Sequence, residues 1–323
     1  MESIRETLEA RQVWIYFSVM AVGALLGVFI PSLYSLEAAI NPALALMLFV
    51  TFMQVPLTGI GAALRNKRFI GALVITNFVV LPAVIAGLLQ FLPDNLMLKL
   101  AVLFVLVAPC IDYVITFTHL GGGNARLLLA MTPILLVLQM LMLPVYLGLM
   151  LSEEAGHLIK SSPFIHAFIW LIAIPLLAAG LMQSLGKRTK VGATLVSALN
   201  LLPVPATALV LFIVLASVIP QIGFAQDAAI SAVPIYVAFA IIAPLMGWVV
   251  ARVIRLESTS ARAVSFSASY RNSLVILPLA FTVPGGVPLI PAVILTQTII
   301  ELFFLPLYVR LIHSLSPSSV QAY

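Results

Sequence analysis

The sequence predicts an all-α polytopic membrane protein of about ten transmembrane helices, and three observations lead to that fold class. Apolar residues make up 63% of the 323 residues and charged residues only 8%, against about half and about a quarter in soluble domains. The mean hydropathy is +1.19. Long apolar stretches alternate with short polar breaks, which leaves almost nothing for a soluble domain. The chain therefore belongs in a bilayer.

Each apolar stretch is long enough to cross a bilayer, which takes about 20 apolar residues in a helix. We number these stretches spans 1 to 10 in chain order. Their approximate bounds are 12–33, 37–58, 69–92, 96–119, 125–151, 163–184, 196–219, 228–252, 262–284 and 287–313. Residues 1–12 are charged, lack an A-x-A site and lead into a full-length span, so we expect no cleaved signal peptide.

The Lys and Arg residues predict the orientation, because cytoplasmic connections retain them during insertion. Most of them lie on one side, at Arg65, Lys67, Arg68, Arg126, Lys187, Arg188, Lys190, Arg252, Arg255, Arg262 and Arg310. The opposite connections hold an acid-leaning set, namely Asp94, Lys99, Glu153, Glu154, Lys160 and Asp227. We expect a plasma-membrane protein with both termini in the cytoplasm. The positive-inside pattern accounts for the net charge of +5, so no nucleic-acid partner is needed.

Two pairs of segments predict an internal duplication. At an offset of 162 to 163 residues, 42–50 in span 2 aligns with 205–213 in span 7, and 139–146 in span 5 aligns with 301–308 in span 10. The Gln/Glu, Pro and Tyr matches of the second pair are hard to obtain from apolar composition alone. The predicted repeats are 1–160 and 161–323. With five spans each they must lie inverted, an arrangement that places transporter binding sites near the midplane.

Three formally charged side chains fall well inside the spans: Asp112 in span 4, Arg271 in span 9 and Glu301 in span 10. A charge at the centre of a membrane helix costs about 2.5–3.5 kcal/mol on insertion scales, so such residues pair, line water or serve function. A structural ion pair that holds helices together is the plainer alternative.

Spans 4 and 9 are predicted to be broken at equivalent places. Pro109 removes a helical hydrogen bond in span 4, although an ordinary tolerated kink is the alternative. The polar run of span 9 is Ser265, Ser267, Ser269, Tyr270, Arg271, Asn272 and Ser273, which is too polar to face lipid. At an offset of 161, residues 110–112 align with 271–273. We expect the two breaks to cross at mid-membrane and to bind a polar or anionic solute.

The remaining motifs carry less information. Gly121–Gly123 before Asn124 lacks the Lys-Ser/Thr of a phosphate loop, so we expect a turn. Interhelical hydrogen bonding explains the polar side chains of spans 5 and 10 as well as a site does; they are Thr132, Gln139, Thr296, Gln297 and Thr298. The single cysteine, Cys110, excludes an intrachain disulfide and a CxxC motif. No cofactor is expected.

At spans 4 and 9 the sequence resembles the bile acid:sodium symporter superfamily, most closely its arsenical-resistance (arsenite efflux) branch. The resemblance covers nearly the whole chain. Residues 109–114, Pro-Cys-Ile-Asp-Tyr-Val, look like the Cys-containing helix 4 of the arsenite exporters, and Glu301 looks like their helix 10 acid. The resemblance implies a core and panel arrangement in which helices 4 and 9 unwind at a crossing.

The sequence also departs from that superfamily. Where the sodium symporters carry ion ligands, the aligned residues here are Val114, Ile115, Ser267 and Arg271, and only Thr132 is kept. An apolar pair and a guanidinium cannot bind Na⁺, so H⁺ is the expected coupling ion, and Arg271 is a candidate stand-in for the cation. Ser273 replaces the helix 9 acid of the exporters. We therefore expect Asp112 to pair with Arg271 and to carry the coupled proton.

Three functions remain open at this stage. The first is efflux of arsenite or antimonite in exchange for protons, which Cys110 favours because a thiolate is a soft ligand for As(III); a small buried hydrophobe is the plainer reading of that cysteine. The second is transport of an organic anion, which Arg271 favours. The third, an intramembrane enzyme, lacks the HExxH or GxGD motif that it requires. The expected partners are a small-molecule or oxyanion solute and the lipid bilayer.

Overall fold

Helices account for most of the described residues. The computed structural model describes residues 2–54, 65–111, 113–151, 165–166 and 168–315. Thirteen helices in these ranges are α1 Glu2–Phe29, α2 Ile40–Phe52, α3 Lys67–Leu89, α4 Leu96–Leu106, α5 Val114–Leu120, α6 Ala125–Met150, α7 Ile174–Arg188, α8 Lys190–Leu199, α9 Pro203–Val218, α10 Gln226–Val253, α11 Ser258–Ser269, α12 Ser273–Thr282 and α13 Leu289–Leu315. 3₁₀ turns cover Pro31–Ala39 and Ile219–Phe224, and a π-helical turn covers Phe168–Ala173.

Six of the described helices are long and apolar enough to cross a membrane, or up to seven if the bent pair of α8 and α9 is one span. The predicted spans 4 and 9 are absent from this count because each is divided into two short helices, α4 with α5 and α11 with α12. Part of span 6 lies outside the described residues. A multi-pass membrane protein is therefore confirmed, and the count of ten stays a prediction.

Several helices begin where a polar side chain caps them. The side-chain oxygens of Asn66, Asn95 and Asn124 accept hydrogen bonds from the backbone N–H three residues on, at the starts of α3, α4 and α6. Such caps satisfy N–H groups that have no partner within the helix. Short polar connections of the sequence thus fix where the apolar helices start.

The chain divides into two compact units. Unit 1 comprises the described residues of Met1–Val55, Leu158–Asp227 and Leu274–Leu295, and unit 2 comprises those of Pro56–His157, Ala228–Ser273 and Thr296–Tyr323. Each unit takes segments from both predicted repeats, 1–160 and 161–323. The repeats describe sequence similarity rather than compact bodies, and they stay a prediction.

In unit 1, glycines bring helices together. A Cβ added at Gly23 of α1 would lie 3.0 Å from the carbonyl oxygen of Phe212 in α9, and one at Gly27 would lie 3.0 Å from Cβ of Ile219. Small residues allow membrane helices to approach closely, which gives the dispersion contacts that hold them together. The packing of α1 on α9 therefore depends on the absence of side chains at these positions.

In unit 2, two tyrosines form equivalent hydrogen bonds. The hydroxyl of Tyr146 in α6 donates to the carbonyl of Phe78 in α3 at 2.7 Å, and that of Tyr308 in α13 donates to the carbonyl of Ala240 in α10 at 2.9 Å. Both bonds join residues 68 positions apart. A buried tyrosine hydroxyl needs such a partner.

The predicted glycine turn lies between α5 and α6 and packs against α11. A Cβ at Gly121 would fall 2.3 Å from the Phe266 ring, and Gly122 has a φ of +69°. The guanidinium of Arg262 donates to the carbonyl of Gly122 at 3.1 Å. The sequence placed Arg262 in a cytoplasmic connection. In the structure it lies within α11, and only 2% of its surface is exposed.

Candidate functional site

Both predicted helix interruptions are present. The first separates α4, which ends at Leu106, from α5, which begins at Val114, and Pro109 lies inside it. The second is shorter and separates α11 from α12 at Tyr270, whose backbone is extended with φ −101° and ψ 134°. Proline accounts for the first because it lacks an N–H and clashes with the preceding turn.

The two interruptions are joined by backbone hydrogen bonds, which we call the bridge. The N–H of Cys110 donates to the carbonyl of Tyr270 at 3.1 Å, and the N–H of Asn272 donates to the carbonyl of Ala108 at 2.8 Å. Pro109 and Arg271 face each other as an antiparallel pair. Backbone groups released by one interruption are thus satisfied by the other, as buried polar groups require.

The side chain of Arg271 is fully buried within unit 2 and surrounded by oxygen atoms. The guanidinium donates four hydrogen bonds. Nη1 donates to the carbonyl of Leu106 at 3.1 Å. Nη2 donates to Oδ1 of Asn77 at 3.0 Å, to the carbonyl of Ser267 at 2.9 Å and to the carbonyl of Ala268 at 2.6 Å. Its Cζ also lies 5.3 Å from the ring centroid of Phe239. These four acceptors, the oxygen cage, are all uncharged.

Asn77 was not singled out from the sequence. It lies in a π-helical turn, Thr76–Val80, inside α3, and its amide nitrogen donates to the hydroxyl of Ser267 at 3.1 Å. A π turn rotates the following side chains relative to a regular helix and is frequent at functional sites. A lone buried amide in an apolar span is the signal that could have identified it.

Glu301 is the second buried charged group of the site, with 2% of its surface exposed. Its Oε1 accepts from the Tyr113 hydroxyl at 2.5 Å, and its Oε2 accepts from the backbone N–H of Arg271 at 2.8 Å and from Nε2 of Gln297 at 2.6 Å. Three donors satisfy the carboxylate without a cationic side chain in direct contact.

The predicted pair of Asp112 and Arg271 lies outside the described residues, because Asp112 is not among them. The ion pairs of the described residues include Arg5 with Glu9 and Lys99 with Asp94. Glu301 and the guanidinium of Arg271 form no ion pair with each other. Their connection runs through the backbone N–H of Arg271.

The other predicted site residues divide into two groups. Cys110 and Asn272 are buried on the bridge, at 1% and 2% exposure. Ser273 accepts a hydrogen bond from the Thr298 hydroxyl of α13 at 2.7 Å. Ser269 and Thr132 instead donate to carbonyls of their own helices, so these two bonds are local. The structure therefore brings Cys110, Arg271, Asn272 and Glu301 into one hydrogen-bonded network, in which Pro109 faces Arg271.

Residues 41–224, which are more than half of the 323-residue chain, match the sodium bile acid symporter family. The chain belongs to this family. Its members are transporters rather than enzymes, which agrees with the predicted class. No curated protein matches the chain. The arsenical-resistance branch stays a prediction.

In this family member a small cavity lies beside Glu301. Its volume is about 10 Å³, roughly the room that one water molecule needs. The lining residues are Leu106, Tyr236, Phe239, Ala240, Ser269, Gln297, Ile300, Glu301 and Tyr308. The cavity is therefore large enough for about one water molecule beside the carboxylate.

Aromatic rings surround Tyr270 on the bridge. Ring centroids of Tyr113, Phe117, Phe266 and Tyr308 lie 5.6–6.1 Å from that of Tyr270. Tyr113 also binds Glu301 and Tyr308 also binds Ala240, so the cluster joins the bridge to both α13 and α10. Such packing keeps bulk water from the network, which strengthens its hydrogen bonds.

Proposed function

We propose that the protein is a secondary transporter that exports a metalloid of the arsenite or antimonite class from the cytoplasm in exchange for protons. The observation that carries the proposal is the position of Cys110. The only thiol of the chain is buried on the bridge, and the bridge is hydrogen-bonded to Glu301 through Arg271. A soft sulfur ligand in the same network as a titratable carboxyl suits As(III) cargo exchanged for protons.

Two carboxyl groups are the candidates for the coupled proton. Glu301 has three donors for its charged form and a cavity beside it. Asp112 is the group that the sequence favours. In this scheme protonation of the carboxyl and binding of cargo alternate at the bridge, so that inward movement of protons drives cargo outward.

Transport of an organic anion is the second candidate, and the family membership favours it. Unlike metalloid export, this function would require Arg271 to bind the anion. The guanidinium is fully buried and already donates to four oxygens. Those contacts favour the metalloid over an anion bound by Arg271.

The proposal includes ten spans as inverted repeats in a core and panel arrangement, with both termini cytoplasmic in the plasma membrane. An offset of 162 supports the duplication. It relates Tyr146 to Tyr308 and their acceptors Phe78 to Ala240, and it also relates Pro109 to Arg271 on the bridge. Apolar composition alone does not produce paired hydrogen bonds at one spacing.

Reconstituted protein tests the function directly. Proteoliposomes are given arsenite, antimonite or a simple organic acid, under a proton gradient and a sodium gradient imposed separately. We expect metalloid movement driven by the proton gradient and sensitive to Cys110→Ser. Transport of the organic acid alone would establish the second candidate, and drive by sodium alone would refute proton coupling.

A further inference from the structure

The oxygen cage around Arg271 has the chemistry of a cation site. Three of its four oxygens are backbone carbonyls and the fourth is the amide oxygen of Asn77. These are hard, neutral donors of the kind that bind a desolvated monovalent cation. The cage is therefore built for a positive charge, and the guanidinium of the chain occupies it.

Helix ends supply the carbonyls. Leu106 is the last residue of α4, and Ser267 and Ala268 lie in the last turn of α11. The carbonyls at a helix C-terminus carry partial negative charge, because they lack partners within the helix. Two C-termini thus converge on one buried cation, and the face of Phe239 contributes a further favourable contact.

The same residue links the cage to the carboxylate. The backbone N–H of Arg271 donates to Glu301, while its side chain fills the cage. A cation from solution would first have to bind and hold the four cage oxygens in place before cargo could bind at the bridge. A tethered guanidinium is present at all times, so it orders the two helix ends without a binding step.

We propose that Arg271 is a permanent internal cation that fills a monovalent cation site between the two helix interruptions, so that cargo moves without a bound inorganic cation. The inference rests on the transport function proposed above. It concerns the cation alone and holds for either cargo.

Chemical rescue of Arg271→Ala tests the inference without cargo. The melting temperature of the purified variant is followed as guanidinium chloride, sodium chloride or choline chloride is added at low concentration and constant ionic strength. We expect saturable stabilisation by guanidinium, a smaller gain with sodium and none with choline. The wild type should respond equally to the three salts.

Two further variants keep the test decisive. Arg271→Gln removes the charge but keeps an amide donor, and it should gain the same response if Arg271→Ala cannot be purified. Arg271→Lys keeps a cation and should gain none. The matched control is Arg262→Ala, which removes another buried guanidinium from α11. A sodium response of that control equal to that of the Arg271 variants would overturn the proposal, as would a wild type stabilised by sodium.

Transport supplies the second readout. Replacement of sodium by choline should leave the wild-type rate unchanged, whereas the Arg271→Ala variant should need guanidinium or sodium for activity. A loss of about tenfold or more in the wild-type rate, equal to about 1.4 kcal/mol, would overturn the inference. The melting data involve no cargo, so failure of the metalloid assignment and failure of the internal cation are told apart.

Discussion

The two units differ in what they bury. Twenty polar or charged side chains are buried among the described residues, and only Gln12, Thr51, Thr207 and Ser217 of them belong to unit 1. In unit 1, apolar helices pack closely against each other at glycines. Unit 2 instead contains both interruptions, the bridge and the buried charges. Buried polar networks cost stability unless every member is satisfied, so we expect cargo to be handled in the unit where they are concentrated.

The largest effect is expected from Glu301→Gln. The amide keeps the size of the side chain but cannot release a proton, so net metalloid efflux driven by a proton gradient should fall to background. Exchange of cargo against cargo should persist, because it needs no net proton movement. Both rates are measured in proteoliposomes, with Asp94→Asn as the control that removes an exposed carboxylate. Unchanged proton-driven efflux would mean that Glu301 is structural, and it would direct attention to Asp112.

The second-largest effect is expected from Asn77→Leu. It deprives the Arg271 guanidinium of one acceptor and the Ser267 hydroxyl of its donor. Each buried group left without a partner costs about 1–3 kcal/mol, and the melting temperature in detergent reports the sum. Thr194→Leu is the control, since that hydroxyl bonds only its own helix at an exposed position among the bonds described. Stability equal to the wild type would show that the cage does not need the amide.

Gly121→Ala should destabilise unit 2 by about 1–3 kcal/mol through overpacking. The new methyl would meet the Phe266 ring, whereas Gly148→Ala in α6 has no heavy atom within 4 Å of the new methyl. Thermal melting of the two variants side by side measures the difference. The idea of a tight turn fails if both variants melt alike.

Gly23→Leu tests the role of unit 1. The larger side chain must displace Phe212 on α9, at a cost of about 1–3 kcal/mol. We expect a lower melting temperature with the same preference among arsenite, antimonite and organic acid, because the buried polar network lies in unit 2. A changed preference would show that unit 1 also selects cargo.

The smallest effect belongs to Asp94→Asn. A hydrogen bond and the charge of Lys99 lower the pKa of the Asp94 carboxyl from its usual value. A carboxyl whose pKa is lower in the folded than in the unfolded protein stabilises the fold at pH values above the unfolded pKa. This stabilisation is lost as the pH falls through the folded pKa. The carboxylate is fully exposed and screened by water, so melting curves of variant and wild type should coincide at neutral pH.

The interruptions could be predicted because the residues that cause them are unusual in an apolar chain. Pro109 and the polar run up to Ser273 each conflict with a continuous membrane helix. Pro109 and Arg271, which pair on the bridge, are 162 residues apart, the offset of the predicted repeat. The count of complete spans was harder to predict, since hydropathy does not register where a helix is divided.

The contacts of the buried charged groups could not be predicted from the sequence. Asn77 reaches Arg271 because a π turn in α3 changes the direction of the side chain, and composition does not reveal such a turn. Arg262 lay at the edge of a predicted span, where hydropathy cannot separate a buried guanidinium from one in a connection. The four acceptors of Arg271 are mostly carbonyls, which every residue possesses, so no pattern of side chains marks them.

The bridge also bears on how such a protein can change over generations. Its hydrogen bonds join main-chain atoms of Ala108, Cys110, Tyr270 and Asn272, and no side chain is needed to form them. Mutation can therefore replace the thiol or the neighbouring polar groups while the scaffold between the two interruptions persists. Substitutions that change the cargo need not break these hydrogen bonds.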